Sequence, residues 1–235
     1  LVRRRIPVMK QTWADIVWCH WPVAPEQIQA LLPAGLVPDV FEGQAWVGLI
    51  PFAMKNLRLP GPLSVFSKLA RVSNFGEVNV RTYVKGPDGS TGVWFFTLDS
   101  DDWLAVKVAN VAFGLPYRRA RTKLRTSGRE IAWTDVRRED GAVSEVHVEI
   151  TDVEARYARE GLEKFLVERY NLFTVRRGKL FSGSLHHQAW KVRSATPLRI
   201  VTGTVDKSGI VVHGDPHVLV GEPVEVTVFG LRRVS

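Results

Sequence analysis

The residues best equipped for chemistry in this chain stand in one short run, Asn74 to Val84 (NFGEVNVRTYV). On a strand, Glu77, Asn79, Arg81 and Tyr83 fall on one face, and Val78, Val80, Thr82 and Val84 on the other. A carboxylate, an amide, a guanidinium and a phenol in one row can line a pocket, form a structural ion-pair network or sit solvated on an open sheet. In a closed barrel the row would line the lumen, where unpaired polar groups are costly. There the guanidinium can grip a carboxylate through two hydrogen bonds. A buried Glu77 can give or take a proton, its pKa raised by desolvation and lowered by Arg81. Glu77 is therefore a catalytic candidate, and Arg81, Asn79 and Tyr83 are ligand-binding candidates.

Other chemistries find less support. His186 and His187 are adjacent, so on a strand they point to opposite faces and cannot chelate one ion. His213 and His217 flank the turn Gly214-Asp215-Pro216 and are expected in solvent. His20, between Cys19 and Trp21, reads either as a core histidine bonded to backbone or as a ligand-binding side chain, and is kept as a candidate. No metal site is expected, and the glycines match no phosphate-loop or dinucleotide fingerprint, so no cofactor is expected either. Gly-x-Ser-x-Gly is absent, and Cys19 alone is a poor nucleophile candidate.

The elements that must position these groups are mostly strands. Trp13 to Trp21 reads as one strand, and Pro25-Glu26 opens a short helix stopped by Pro33 and Gly35. Val37 to Phe41 and Ala45 to Phe52 read as a hairpin around Glu42-Gly43-Gln44. Ser73 to Val84 and Thr91 to Leu98 flank Gly86-Pro87-Asp88-Gly89, a second hairpin signal. Leu59 to Pro62 reads as a loop, and Trp103 to Phe113 has helical spacing. Tyr117 to Arg125, Glu130 to Val136 and Val143 to Thr151 are further strands, and Ala158 to Arg169 is the best helix. Leu172 to Val228 reads as strands with Gly-rich turns. The expected architecture is α+β and mainly antiparallel β, with two to three short helices. Closure into a barrel would remove exposed edges.

The chain has 235 residues and 45% hydrophobic residues, enough for one domain over 1–235 with a large core. No run approaches the roughly 20 apolar residues of a membrane span. No apolar leader follows the basic start, and a single cysteine excludes an intrachain disulfide, so a cytoplasmic address is expected. Net charge is +8. Its densest patch runs from Arg118 to Arg129, where Arg119, Arg121, Lys123 and Arg125 share one strand face. That face reads as solvated, or as a contact for an acidic partner. No nucleic-acid-binding signature accompanies it, so nucleic acid is not an expected partner.

Several segments recur in order in a known family: His20-Trp21-Pro22-Val23, Leu32-Pro33-x-Gly35-Leu36, Glu77 to Val84, Trp94-Phe95-Phe96, Leu115-Pro116-Tyr117 and Glu168-Arg169-Tyr170. In these the chain resembles the YqjF-like bacterial proteins, a family of unknown function in the acetoacetate decarboxylase-like superfamily. The resemblance spans nearly the whole chain. It implies a closed, strongly curved antiparallel barrel with a central cavity. In the decarboxylases a cavity lysine forms a Schiff base beside a second lysine that depresses its pKa; the handling of that lysine is a standard case of such tuning. Leu115-Pro116-Tyr117-Arg118 looks like the corresponding segment, with Tyr117 in the lysine's place and Arg118 in its neighbour's. A phenol forms no imine, so the resemblance implies a cavity without Schiff-base chemistry. Glu77 resembles the decarboxylases' cavity glutamate.

Three readings follow. The protein is a lyase or hydrolase-type enzyme using Glu77 as acid/base and Tyr117 as a donor to an oxyanion. Alternatively it binds a small organic carboxylate or carbonyl compound without turnover, or it is an interaction protein whose basic strand meets an acidic partner. A homo-oligomer is compatible with all three.

Overall fold

The computed structural model describes residues 6–59, 74–102 and 113–234. Its strands are β1 (Pro7–Ala14), β2 (Val17–Val23), β3 (Val37–Pro38), β4 (Ala45–Arg58), β5 (Asn74–Lys85), β6 (Thr91–Ser100), β7 (Tyr117–Ser127) and β8 (Glu130–Arg137). They continue as β9 (Val143–Ile150), β10 (Arg156–Tyr157), β11 (Asn171–Arg176), β12 (Lys179–His186), β13 (Lys191–Thr202), β14 (His217–Gly221), β15 (Val224–Phe229) and β16 (Arg232–Arg233). Three short helices interrupt them: α1 (Pro25–Gln29), α2 (Gly161–Val167) and α3 (Gly203–Asp206).

The strands hydrogen-bond into a ring of 12. Its order is β1-β15-β12-β11-β6-β7-β8-β9-β13-β14-β2-β4, closed by pairing of β4 with β1. The remaining long strand, β5, bridges the ring by pairing with β4 on one side and β6 on the other. It therefore divides the interior into two compartments, and its two faces look into different ones. Val78 and Val80 enter the first, a core of Val17, Cys19, Leu49, Trp133 and Val148. Phe75 and Tyr83 enter the second, with Phe52, Met54, Val93 and Leu166.

Burying each valine is worth roughly 1.5–3 kcal/mol, and a one-residue slip of β5 would trade both valines for buried ionisable groups. Register is thereby fixed. A bulge opposite Val80 and Arg81 leaves this alternation intact, because the extra residue, Phe96, belongs to β6.

The closed, mainly antiparallel barrel agrees with expectation, and several local details differ. The sheet is mixed, because β6 runs parallel to both β7 and β11. Trp13 to Trp21 is two strands, because Asp15 takes a left-handed φ of 52°. Val37 to Phe41 does not pair with Ala45 to Phe52. Both edges of β4 are occupied by other strands, so β3 pairs with Val84 and Lys85 of β5 instead. A single bridge, Phe41 to Gln44, is what remains of that hairpin. The helix expected over Ala158 to Arg169 is shorter, since Gly161 has φ 61° and Glu168 leaves helical geometry. α3 carries no strong sequence signal. The hairpin at Gly86 to Gly89 forms as expected. The Leu59 to Pro62 loop and the Trp103 to Phe113 helix fall largely outside the described residues. Among the described residues, no helix is long and apolar enough to cross a membrane.

Candidate functional site

Glu77, Asn79, Arg81 and Tyr83 are all buried, at 2%, 4%, 8% and 0% exposure, on the second-compartment face of β5. Tyr117 joins them from the start of β7, where its parallel pairing with Leu98 puts it on the same face. Its hydroxyl donates to Glu77 Oε2 at 2.7 Å. Burial raises the Glu77 pKa to about 7, against the lowering effect of hydrogen bonds from Tyr117 and Asn79, and the charge of Asp99 adds to the rise. Burial, then the Glu77 charge, pushes the Tyr117 phenol well above its ordinary value. A carboxyl that titrates near neutrality is matched to proton transfer at neutral pH.

Arg81 reaches the end of α2. Its Nη2 donates to the Leu166 carbonyl at 3.2 Å, and the Tyr83 hydroxyl donates to the same oxygen at 2.7 Å. With its proton committed there, the Tyr83 oxygen accepts from His20 Nε2 at 2.6 Å. His20 is thus the neutral Nε2–H tautomer. Burial first, then the charges of Arg81 and His217, holds its pKa well below the usual range. Its partner is a phenol, where the core reading had expected backbone. This contact crosses β4 at Gly48, the cross-strand neighbour of both His20 and Arg81. A Cβ on Gly48 would lie 2.9 Å from the His20 ring.

Two other buried arginines have acidic partners. Arg137 pairs with Asp99 at 2.8 Å, and Arg169 pairs with Asp39 at 2.7 Å. Arg81 has no carboxylate partner among the described residues, and its Nε is buried without a hydrogen bond. A buried cation left so is costly unless something anionic completes it.

Arg118 is not brought to this site. One residue after Tyr117 it faces the other way, is exposed and pairs with Glu139. Arg119, Arg121, Lys123 and Arg125 are exposed along β7, as both the solvated-face and the acidic-contact readings require. His213 is exposed, but His217 is half-buried on β14 opposite His20, which corrects the solvent assignment: the turn ends at Pro216, and His217 already belongs to the strand. Among the described residues, no group of three His, Cys, Asp or Glu side chains could hold a metal.

Sequence reasoning missed Arg169, whose guanidinium lies 4.9 Å from the centre of the Tyr83 ring and 4.2 Å from that of Phe165. It also missed Gln11 and Trp13 on the inward face of β1, and the buried Asp99-Asp135 pair in the first compartment. Two open clefts, of about 300 and 280 Å³, lie away from Glu77 and Arg81. The first is lined by Trp94, Phe95, Leu115, Pro116 and Phe173, the second by Pro197 to Ile200 and Gly214 to Pro216.

The bridged strand ring has solved counterparts, and the fold they share with it is acetoacetate decarboxylase-like. The biosynthesis enzyme MppR complexed with pyruvate matches with a TM-score of 0.71 at 14% identity, covering 100% of this chain and 92% of that one. The acetoacetate decarboxylase of Legionella pneumophila matches at 0.67 and 11%, covering 98% and 88%. At these identities the likeness is one of fold. In sequence, the chain belongs to the DUF2071 family, described as an uncharacterized conserved protein, which it matches over residues 10–225. The uncharacterized protein YqjF of Bacillus subtilis (strain 168) is 35% identical over 237 residues, covering 97% of this chain and 93% of its own length.

Proposed function

We propose that this protein binds a small carboxylate- or carbonyl-bearing molecule in the second compartment and transforms it by acid/base chemistry without a Schiff base. The observation that carries this reading is Arg81, a buried guanidinium without a carboxylate partner among the described residues. In this reading Arg81 holds the ligand's carboxylate, Asn79 orients it, and Glu77 transfers a proton at an adjacent carbon or oxygen. Tyr117, which donates to Glu77 in the structure, would turn its hydroxyl toward charge developing on the ligand's carbonyl oxygen. Tyr83 and His20 hold Arg81 from behind and touch the ligand least. Pyruvate in the fold neighbour MppR supports the ligand class.

Every lysine among the described residues is exposed or half-exposed, which supports a mechanism without an imine. Borohydride added during incubation with pyruvate or acetoacetate should leave the intact mass unchanged. A borohydride-dependent adduct on a lysine, Lys107 included, would contradict the mechanism and restore the decarboxylase chemistry.

A further inference from the structure

The second compartment holds more unanswered polar atoms, among the described residues, than Arg81 alone supplies. On β1, Gln11 is 5% exposed, and register places it opposite Val226 on the inward face of β15. Its Oε1 is buried without a hydrogen bond among the described residues, and so is the indole Nε1 of Trp13, two residues on and on the same face. Trp13 packs at 5.5 Å from Phe52, and Phe52 is the direct cross-strand partner of Glu77. Trp13 also lies 6.3 Å from the ring of His187, a group whose pKa is lowered in part by the charge of Arg81. The unpaired atoms of β1 therefore share a wall with the proposed anion site. Buried polar groups in folded proteins are nearly always satisfied, so a bare acceptor and a bare donor side by side mark a place for a partner.

Resting on the anion reading above, we infer that the ligand is a carboxylate with a tail that ends in an uncharged carboxamide-type group. The tail's carbonyl accepts from Trp13 Nε1–H, and its N–H donates to the Gln11 side-chain amide. The inward face of β1 carries no charged side chain of its own, and the Glu168 carboxylate beyond Trp13 and Trp190 is already taken up by the Trp190 backbone N–H and the Tyr170 hydroxyl, so the uncharged pair Gln11 and Trp13 is what faces a tail from this strand. An amide group also suits either orientation of the Gln11 side chain, because it presents a donor and an acceptor on neighbouring atoms. A site built to hydrogen-bond an N–H discriminates against an isostere that lacks it.

The test is a calorimetric series on the full chain: succinamate, glutaramate and adipamate, each against the methyl-ketone acid of equal length (4-oxopentanoate, 5-oxohexanoate, 6-oxoheptanoate), with pyruvate as the tail-less reference. At one chain length the amide should bind at least about tenfold tighter than its ketone, the size of one well-placed hydrogen bond. Gln11→Met should abolish that preference and Trp13→Phe should weaken both members of the pair, while pyruvate affinity stays unchanged. Melting curves on both variants establish that the compartment is intact. If pyruvate binds through Arg81 but no amide is preferred, or the preference survives Gln11→Met, this inference falls and the anion reading stands. If no carboxylate in the series binds, both fall.

Discussion

The Tyr117 hydroxyl lies 2.7 Å from Glu77 Oε2, so the first residue of β7 and the fourth of β5 share a proton across the intervening strand β6. Only the parallel pairing of β6 with β7 brings them together, at the end where β5 leaves its valine-lined half. The contact joins the two groups most able to handle a proton, in the compartment that also holds a guanidinium without a carboxylate partner among the described residues. A stability cost should accompany it, and that cost is measurable.

Glu77 rises from 4.5 to about 7 in the fold. Between those values the folded state binds more protons than the unfolded state, so stability falls as pH rises through the window and the loss is complete above it. Glu77→Gln removes the penalty. The variant should be more stable than the parent at pH 8, by up to about 3 kcal/mol, and equal to it near pH 4. Denaturant unfolding at both pH values checks this, and a uniform destabilisation would contradict it. Proton-transfer activity should be lost in the same variant.

The Tyr117 hydrogen bond favours the charged form of Glu77. Tyr117→Phe should therefore move the Glu77 pKa upward, followed by carbon NMR of labelled glutamate side chains. A downward shift would mean that the phenol stabilises the neutral acid instead.

Gly48→Ala places a methyl 2.9 Å from the His20 ring on a central strand. Overpacking of this kind typically costs 1–3 kcal/mol, roughly, and here it also pushes His20 away from Tyr83. The expected result is a lower melting temperature together with weaker ligand binding, because Arg81 loses its support. A variant as stable as the parent would show that the ring relaxes freely.

Asp135 is 1% exposed in the first compartment, and burial followed by the charge of Asp99 raises its pKa, against the pull of Arg137. It is carried protonated in the fold and ionised in the unfolded chain, so stability is lost as pH climbs above the ordinary aspartate range. Asp135→Asn should stabilise the protein at pH 8, by about 1 kcal/mol or more, and change little at pH 4. Thermal melts at the two pH values decide.

The central strand was legible because its message is local. Val78, Val80 and Val84 alternate with Glu77, Asn79, Arg81 and Tyr83, and a period of two has one structural meaning in a β-rich chain. The strand pairings that complete the site were not legible in spacing or composition, and the family resemblance alone put Tyr117 in the cavity with Glu77. Nothing near Tyr117 states that β7 lies parallel to β6, and the Arg169–Asp39 pair joins residues far apart in the chain. Gln11 looks like a surface residue, since Lys10 beside it is exposed and only the closure of β1 onto β15 buries it. Asp15 breaks a strand in an aromatic run by taking a left-handed φ, a choice aspartate makes at little cost but does not announce.

The most direct test of the account pairs two readouts on Arg81 variants: pyruvate affinity in the folded protein and melting temperature. Arg81→Lys should weaken binding by losing the two-pronged geometry while keeping the charge. Arg81→Ala should weaken it further, by roughly 1.5–3 kcal/mol, with the melting temperature held or raised because a buried cation without a carboxylate partner among the described residues has gone. A fall in melting temperature with unchanged affinity in the folded fraction would contradict the account and leave Arg81 as a structural clamp on the Leu166 carbonyl.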